Sequence, residues 1–198
     1  MFTGITETTG VIKNIVFEGT NKTFLVQSSI SPLLKVDQSV MHNGVCLTVT
    51  DIDKDTHRVT AIQETLEKTN LGTLEPGHIV NLERSMNMKG LLDGHIVQGH
   101  CDRTVQCMDI KDKSGSRLFY FELPEADAGL VVPRGSIALN GVSLTVAGIE
   151  QNKFYVAIIP YTYEFTNFHT LQIGSKVNIE YDILGKYILR QLEVYRNA

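Results

Sequence analysis

Short apolar runs alternate with polar and glycine-bearing turns along most of this chain. Gly10–Phe17, Lys22–Ser28, Ser39–Met41, Val45–Thr50, Arg58–Ile62 and His78–Glu83 are rich in β-branched residues and bounded by turn formers, which predicts strands. The two-residue period of a strand puts Val45, Leu47 and Val49 on one face and Cys46, Thr48 and Thr50 on the other. Pro32–Leu34 and Thr65–Asn70 predict short helical turns. From Ile183 the period changes: Leu184, Ile188, Leu192 and Tyr195 fall at helical spacing, with Lys186, Arg190 and Glu193 off the stripe. That stripe needs cover, and the pattern leaves open whether its own barrel or another copy of the chain supplies it.

The pattern repeats. Shifted by 97 residues, Asn43-Gly44-Val45-Cys46-Leu47-Thr48-Val49 falls on Asn140-Gly141-Val142-Ser143-Leu144-Thr145-Val146, and residues 43–83 share 19 identities in 41 positions with residues 140–180. Chance supplies about two or three at ordinary residue frequencies. Upstream the match is weaker, with Gly4 pairing with Gly99. The expected organisation is an all-β chain of two tandem six-stranded Greek-key barrels related by internal duplication, plus a C-terminal helix. The expected units are residues 1–88, 89–182 and 183–198, the last a helix outside both barrels, with Met86–Gly94 as a short joint.

Composition narrows the function. Across 198 residues the formal net charge is −4, and Lys and Arg are scattered, which argues against a nucleic-acid footprint. No apolar run approaches the roughly 18 residues of a membrane span, and the first residues lack the basic and apolar regions of a secretory signal. The three cysteines, Cys46, Cys101 and Cys107, read as reduced thiols of a cytoplasmic protein. There is no phosphate-binding loop, dinucleotide fingerprint, Gly-x-Ser-x-Gly or His-Glu-x-x-His. His95 and His100 lie near Cys101 and Cys107, but their spacing matches no zinc motif. The expectation is no metal and no cofactor.

The informative positions are those where the repeats differ. Each carries a small polar strand face behind an Asn-Gly turn, with Cys46 in one and Ser143 in the other. Two related faces suit two similar ligands. The histidines at the joint are candidates for acid–base work.

Four segments carry a resemblance: Met1-Phe2-Thr3-Gly4-Ile5, Asn43–Val49, Gly94-His95-Ile96-Val97-Gln98-Gly99-His100 and Gly141–Val146. Together with the duplication, they make the chain resemble the riboflavin synthase family over nearly its whole length. The resemblance implies a cytoplasmic homotrimer assembled through the C-terminal helix, with sites between barrels of different chains. It implies two 6,7-dimethyl-8-ribityllumazine molecules per site, with lumazine synthase as a further partner. One lumazine passes a four-carbon unit to the other, giving riboflavin and 5-amino-6-ribitylaminouracil. The acidic C7 methyl of one ring supplies the attacking carbanion. Carried over by position, the catalytic candidates are Ser143, His100, Cys46, Thr145 and Phe2. The substrate-binding candidates are Gly4, Ile5, Ser39, Thr48, Thr65, Gly99, Arg134, Asn140, Gly141, Ile159, Thr162 and Asp182. Departures from the family pattern are Arg134 for lysine, Asn140 for aspartate and Cys101 for valine, together with the aromatic set Tyr161, Tyr163, Phe165 and Phe168. The alternative is a non-catalytic lumazine- or flavin-binding relative. An oligonucleotide-binding barrel would need a basic, aromatic groove.

Overall fold

The computed structural model describes residues 1–87 and 89–196. Met88, at the expected boundary between the repeats, and Asn197–Ala198, at the end of the expected helix, lie outside them. The first repeat builds β1 (Thr8–Glu18), β2 (Asn21–Gln27), β3 (Ser39–His42), β4 (Val45–Asp53), β5 (Thr56–Ala61) and β6 (Ile79–Arg84), with α1 (Gln63–Lys68) between the last two. The second builds β7 (Arg103–Lys113), β8 (Ser116–Glu122), β9 (Ser136–Leu139), β10 (Val142–Glu150), β11 (Lys153–Ile158) and β12 (Lys176–Tyr181), with α2 (Pro160–Phe165) in the same place, and α3 (Ile183–Arg196) closes the chain.

Each six-stranded sheet closes into a barrel, in the orders β1-β2-β5-β4-β3-β6 and β7-β8-β11-β10-β9-β12. Closure needs bent strands. Both barrels obtain the bend in the same way, through register shifts at Ile12/Asn14 and Val49/Asp51 in the first and at Cys107/Asp109 and Val146/Gly148 in the second. The predicted face of β4 holds: Val45, Leu47 and Val49 are buried in the first core, while Thr48 and Thr50 are exposed. In β10, Val142 and Val146 fill the second core, and Phe119, Phe121, Phe154 and Phe168 enlarge it.

The Asn-Gly turns are two-residue hairpin connections with positive φ at both residues: 48° and 84° at Asn43 and Gly44, 46° and 78° at Asn140 and Gly141. The turns meet back to back. A Cβ on Gly44 would stand 2.8 Å from Gly141 N, and one on Gly141 2.7 Å from Gly44 N. Around them six buried asparagines, each paired with its repeat counterpart, bond across the junction. Asn81 Nδ2 donates to Asn140 O at 3.0 Å and to Asn167 Oδ1 at 2.9 Å, and Asn178 Nδ2 donates to Asn43 O at 2.8 Å and to Asn70 Oδ1 at 2.9 Å. The interface is thus polar but satisfied, the condition under which buried polar groups are tolerated and fix one geometry.

One buried chain of bonds belongs to the first barrel alone. Ser31 Oγ lies 2.8 Å from His57 Nδ1, and His57 Nε2 lies 2.9 Å from His42 Nε2. Burial drives both imidazoles down, to about 3 for His42 and about 4 for His57.

The C-terminal helix forms as the spacing predicts but does not bury its stripe on its own barrel. None of its residues is buried, and Leu184, Tyr187, Ile188, Leu192 and Tyr195 are exposed. Its root is held by Lys186 Nζ, 2.7 Å from Asp102 Oδ2. Among the described residues, no helix is long and apolar enough to cross a membrane.

Candidate active site

The outer faces of β4 and β10 carry the candidate chemistry, and each is covered by the leading segment of the opposite repeat. Ser143 N on β10 donates to Gly4 O at 2.6 Å, and Cys46 N on β4 donates to Gly99 O at 2.8 Å. The segments also pair with each other: Phe2 N donates to Val97 O at 2.8 Å, and Val97 N to Phe2 O at 3.1 Å. Phe2, Met41, Val97 and Ala138 pack into a small apolar cluster with Cys46 against it. Phe2 is therefore an anchor, 1% exposed, and it holds the N-terminal segment down.

A buried carboxylate fixes each segment. Glu83 accepts from Thr3 N at 2.7 Å, Thr3 Oγ1 at 2.9 Å and Gly4 N at 3.0 Å. Its repeat counterpart Glu180 accepts from Gln98 N at 2.6 Å, Gly99 N at 2.9 Å and His100 N at 2.8 Å. Burial raises both above the usual carboxylate range, and the amide donors pull partly the other way. Gly4 and Gly99 adopt φ of +76° and +80°, and a Cβ on either would stand 2.6 Å from the Cβ of Ser143 or Cys46 respectively. Only glycine fits so close an approach of segment to strand.

The structure separates the two histidines. His95 is buried, and its Nδ1 lies 2.7 Å from Ser143 Oγ. Burial lowers its pKa, and the nearby Asp182 carboxylate opposes that shift. In the tautomer with Nδ1 unprotonated, neutral His95 accepts a hydrogen bond from the Ser143 hydroxyl. The imidazole of His100 is exposed, directly after the Gly99 that abuts Cys46. Sequence spacing marks both histidines but does not tell which one meets Ser143. The bond from Ser143 N to Gly4 O, with His95 N donating to Thr3 O at 3.1 Å, sets that register.

Other candidates fall in three groups. Ser39 pairs with Thr48 across β3 and β4, and Ser136 pairs with Thr145 across β9 and β10, so each barrel carries a hydroxyl pair beside Cys46 or Ser143. Ser136 is a residue that the identity of the two repeats could have flagged, as the counterpart of Ser39. Gly4, Ile5, Ser143 and Thr162 line one cleft of about 330 Å³ with Thr6 and Phe165, and Ile159 stands exposed at the start of α2. Thr65 occupies the equivalent place on α1. Asn140 and Gly141 lie instead at the barrel junction. Asn140 is fully buried, and its Oδ1 accepts from Asn70 Nδ2 at 3.0 Å and from Asn178 N at 2.9 Å. Arg134 is an exposed turn residue at φ 68°, and Asp182 Oδ1 accepts from Leu184 N at 3.0 Å, capping the first turn of α3. Cys101 Sγ donates to Gly44 O at 3.1 Å, and burial pushes its thiol up; burial likewise pushes Cys107 up to about 11, so neither is a reactive thiolate. Among the described residues, no group of three or more His, Cys, Asp or Glu side chains is placed to hold a metal.

Comparison with known proteins agrees with this arrangement. The lumazine binding domain family matches residues 3–85 and again 98–182. Riboflavin synthase of Bacillus subtilis (strain 168) is 39% identical over 193 residues, which cover 97% of this chain and 90% of that protein. The riboflavin synthase of Mycobacterium tuberculosis (strain ATCC 25618 / H37Rv) is 38% identical over 202 residues, covering 96% and 97%. Among solved structures, LumP complexed with riboflavin superposes with a TM-score of 0.85 at 25% identity, covering 91% of this chain and 99% of LumP. LumP complexed with 6,7-dimethyl-8-(1'-D-ribityl) lumazine gives 0.82 at 25% identity, covering 91% and 98%. With both repeats matched and relatives aligned nearly end to end, the chain belongs to the riboflavin synthase family of lumazine-binding-domain proteins.

Proposed function

We propose that the chain converts two molecules of 6,7-dimethyl-8-ribityllumazine into riboflavin and 5-amino-6-ribitylaminouracil by moving a four-carbon unit from one to the other. The observation that carries this reading is the His95–Ser143 contact of 2.7 Å on the outer face of β10, next to a cleft with room for a heteroaromatic ring. A binding protein needs polar groups that fix a ring. It does not need a buried neutral imidazole bonded to a hydroxyl at the rim.

Proton removal from the acidic C7 methyl of one lumazine gives the carbanion that attacks the other. His95 is the base of this scheme, acting through or beside Ser143 Oγ. Cys46, Thr48 and Ser39, with His100 and Gly99 above them, form the pocket of the first barrel. Thr145, Thr162 and Ile159, with Gly4 and Ile5, form that of the second, and Thr65 faces the first as Thr162 faces the second. Arg134 and Asp182 stand at the edges, for the ribityl chain. Holding two like rings in reacting geometry replaces a bimolecular encounter, which is worth roughly 7–11 kcal/mol at best.

In this reading, as the family resemblance implies, a productive pair forms where a second chain brings a first-barrel face onto a second-barrel face. The exposed stripe of α3 is the surface suited to that assembly, in a trimer. The relation to LumP supports one alternative, a protein that holds lumazine or flavin without turning it over. Turnover of Ser143→Ala and His95→Gln variants separates the two. We expect losses of about a hundredfold or more, the usual worth of general acid–base catalysis, with riboflavin binding retained. Unchanged turnover in both would remove the assigned roles.

A further inference from the structure

The two repeats part ways on the outer face of their short helices. In α1, Lys68 Nζ lies 2.7 Å from Glu64 Oε1, both side chains exposed, an i,i+4 ion pair facing water. The repeat places Tyr161 and Phe165 at the corresponding positions of α2. Their rings pack on each other, centroids 4.6 Å apart and planes tilted by 37°, yet they remain 69% and 52% exposed. Two large aromatic side chains left open where the sister repeat keeps a solvated ion pair need an occupant.

The pair forms one wall of the cleft that also contains Ser143 and Thr162. The leading segment, from Gly4 to Thr9, also lines it. A flat heteroaromatic ring suits this cleft, offering a π-face to Tyr161 and Phe165.

Resting on the function proposed above, we infer that Tyr161 and Phe165 are specificity-determining residues. They hold the lumazine or flavin ring of the second-barrel pocket by stacking, and the first-barrel pocket lacks this contact. The chain therefore presents two chemically unequal ring sites, as a reaction with one donor and one acceptor requires.

Riboflavin titration of the full chain tests this, because stacking on tyrosine quenches flavin fluorescence. Tyr161→Leu with Phe165→Leu should weaken one class of site about tenfold, equivalent to about 1.4 kcal/mol, relieve the quenching there and leave the other class unchanged. Tyr161→Phe should keep the affinity, since the ring remains. Should the double variant fail to fold, the reciprocal change, Glu64→Tyr with Lys68→Phe, should tighten and quench the first-barrel site. Riboflavin binding that neither change alters would overturn the inference while leaving the proposed function standing. So would a variant that binds normally but sediments differently, because the aromatic pair would then be serving a second copy of the chain. A native chain that binds neither riboflavin nor 6,7-dimethyl-8-ribityllumazine would instead fail the function itself.

Discussion

At the level of single residues, burial pushes three imidazoles, His42, His57 and His95, toward the neutral form. His95 bonds Ser143, which lines the cleft; burial lowers the His95 pKa and Asp182 limits the shift. In the proposed mechanism the basic form of His95 is the working one. Turnover should therefore be flat above the ordinary histidine range and fall in acid, with an apparent pKa below about 6.5. A rate profile whose acid limb lies above that value would point to another base. His42 and His57 lie inside the first barrel and have no route to substrate. Their pKa values of about 3 and about 4 lie below the unfolded value of 6.5, so the unfolded chain binds more protons between those limits. This pair's contribution to stability should be full above about 6.5 and be lost as pH falls toward 3, while the raised carboxyls Glu83 and Glu180 act in the opposite sense. Denaturant midpoints of the native chain and of His57→Phe, the residue type of its repeat counterpart, check it, and an equal pH dependence in both would contradict the neutral pair. The sequence marked both His95 and His100 at the joint, and the family resemblance chose His100 as the catalytic partner of Ser143; the structure sets His95 against Ser143 and leaves the His100 imidazole exposed. Their assignment depends on which one the leading segment lays against β10, a long-range contact that no local pattern encodes.

At the level of elements, the decisive feature is the exchange of leading segments between the repeats. Strand periodicity correctly placed Cys46, Thr48, Ser143 and Thr145 on the outer faces, and the Asn-Gly pairs forecast the positive-φ turns. The resemblance carried Asn140 and Gly141 over as substrate-binding positions, but the structure sets both in the barrel junction, where six asparagines, three from each repeat, converge. That convergence depends on how the barrels dock and is invisible along the chain. The exchange yields a sharp expectation. Gly99→Ala places a methyl 2.6 Å from Cys46 Cβ at a φ of +80°. Left-handed strain and overpacking together should cost about 2–4 kcal/mol, read as a shift in denaturant midpoint. Gly4→Ala should do the same beside Ser143. Substitutions without effect would mean that the segments do not press on the strands as described.

At the level of the whole molecule, duplication supplies two similar strand faces, and the ring sites proposed on them differ where the repeats diverge. The fold was legible because each repeat repeats its own turns, strands and glycines. The fate of the last helix was not, since an amphipathic stripe shows that cover is needed without showing where. The structure leaves that stripe open, so a chain ending at Asp182 should keep both barrels and sediment as a monomer. A truncated chain that still assembles would place the contact elsewhere.

The most direct test mixes the purified full chain with 6,7-dimethyl-8-ribityllumazine, without added metal or cofactor, and follows absorbance and fluorescence. The account predicts catalysed formation of one riboflavin for every two lumazines consumed. Tight binding of lumazine with no riboflavin formed would contradict it and leave a twin-barrel binding protein.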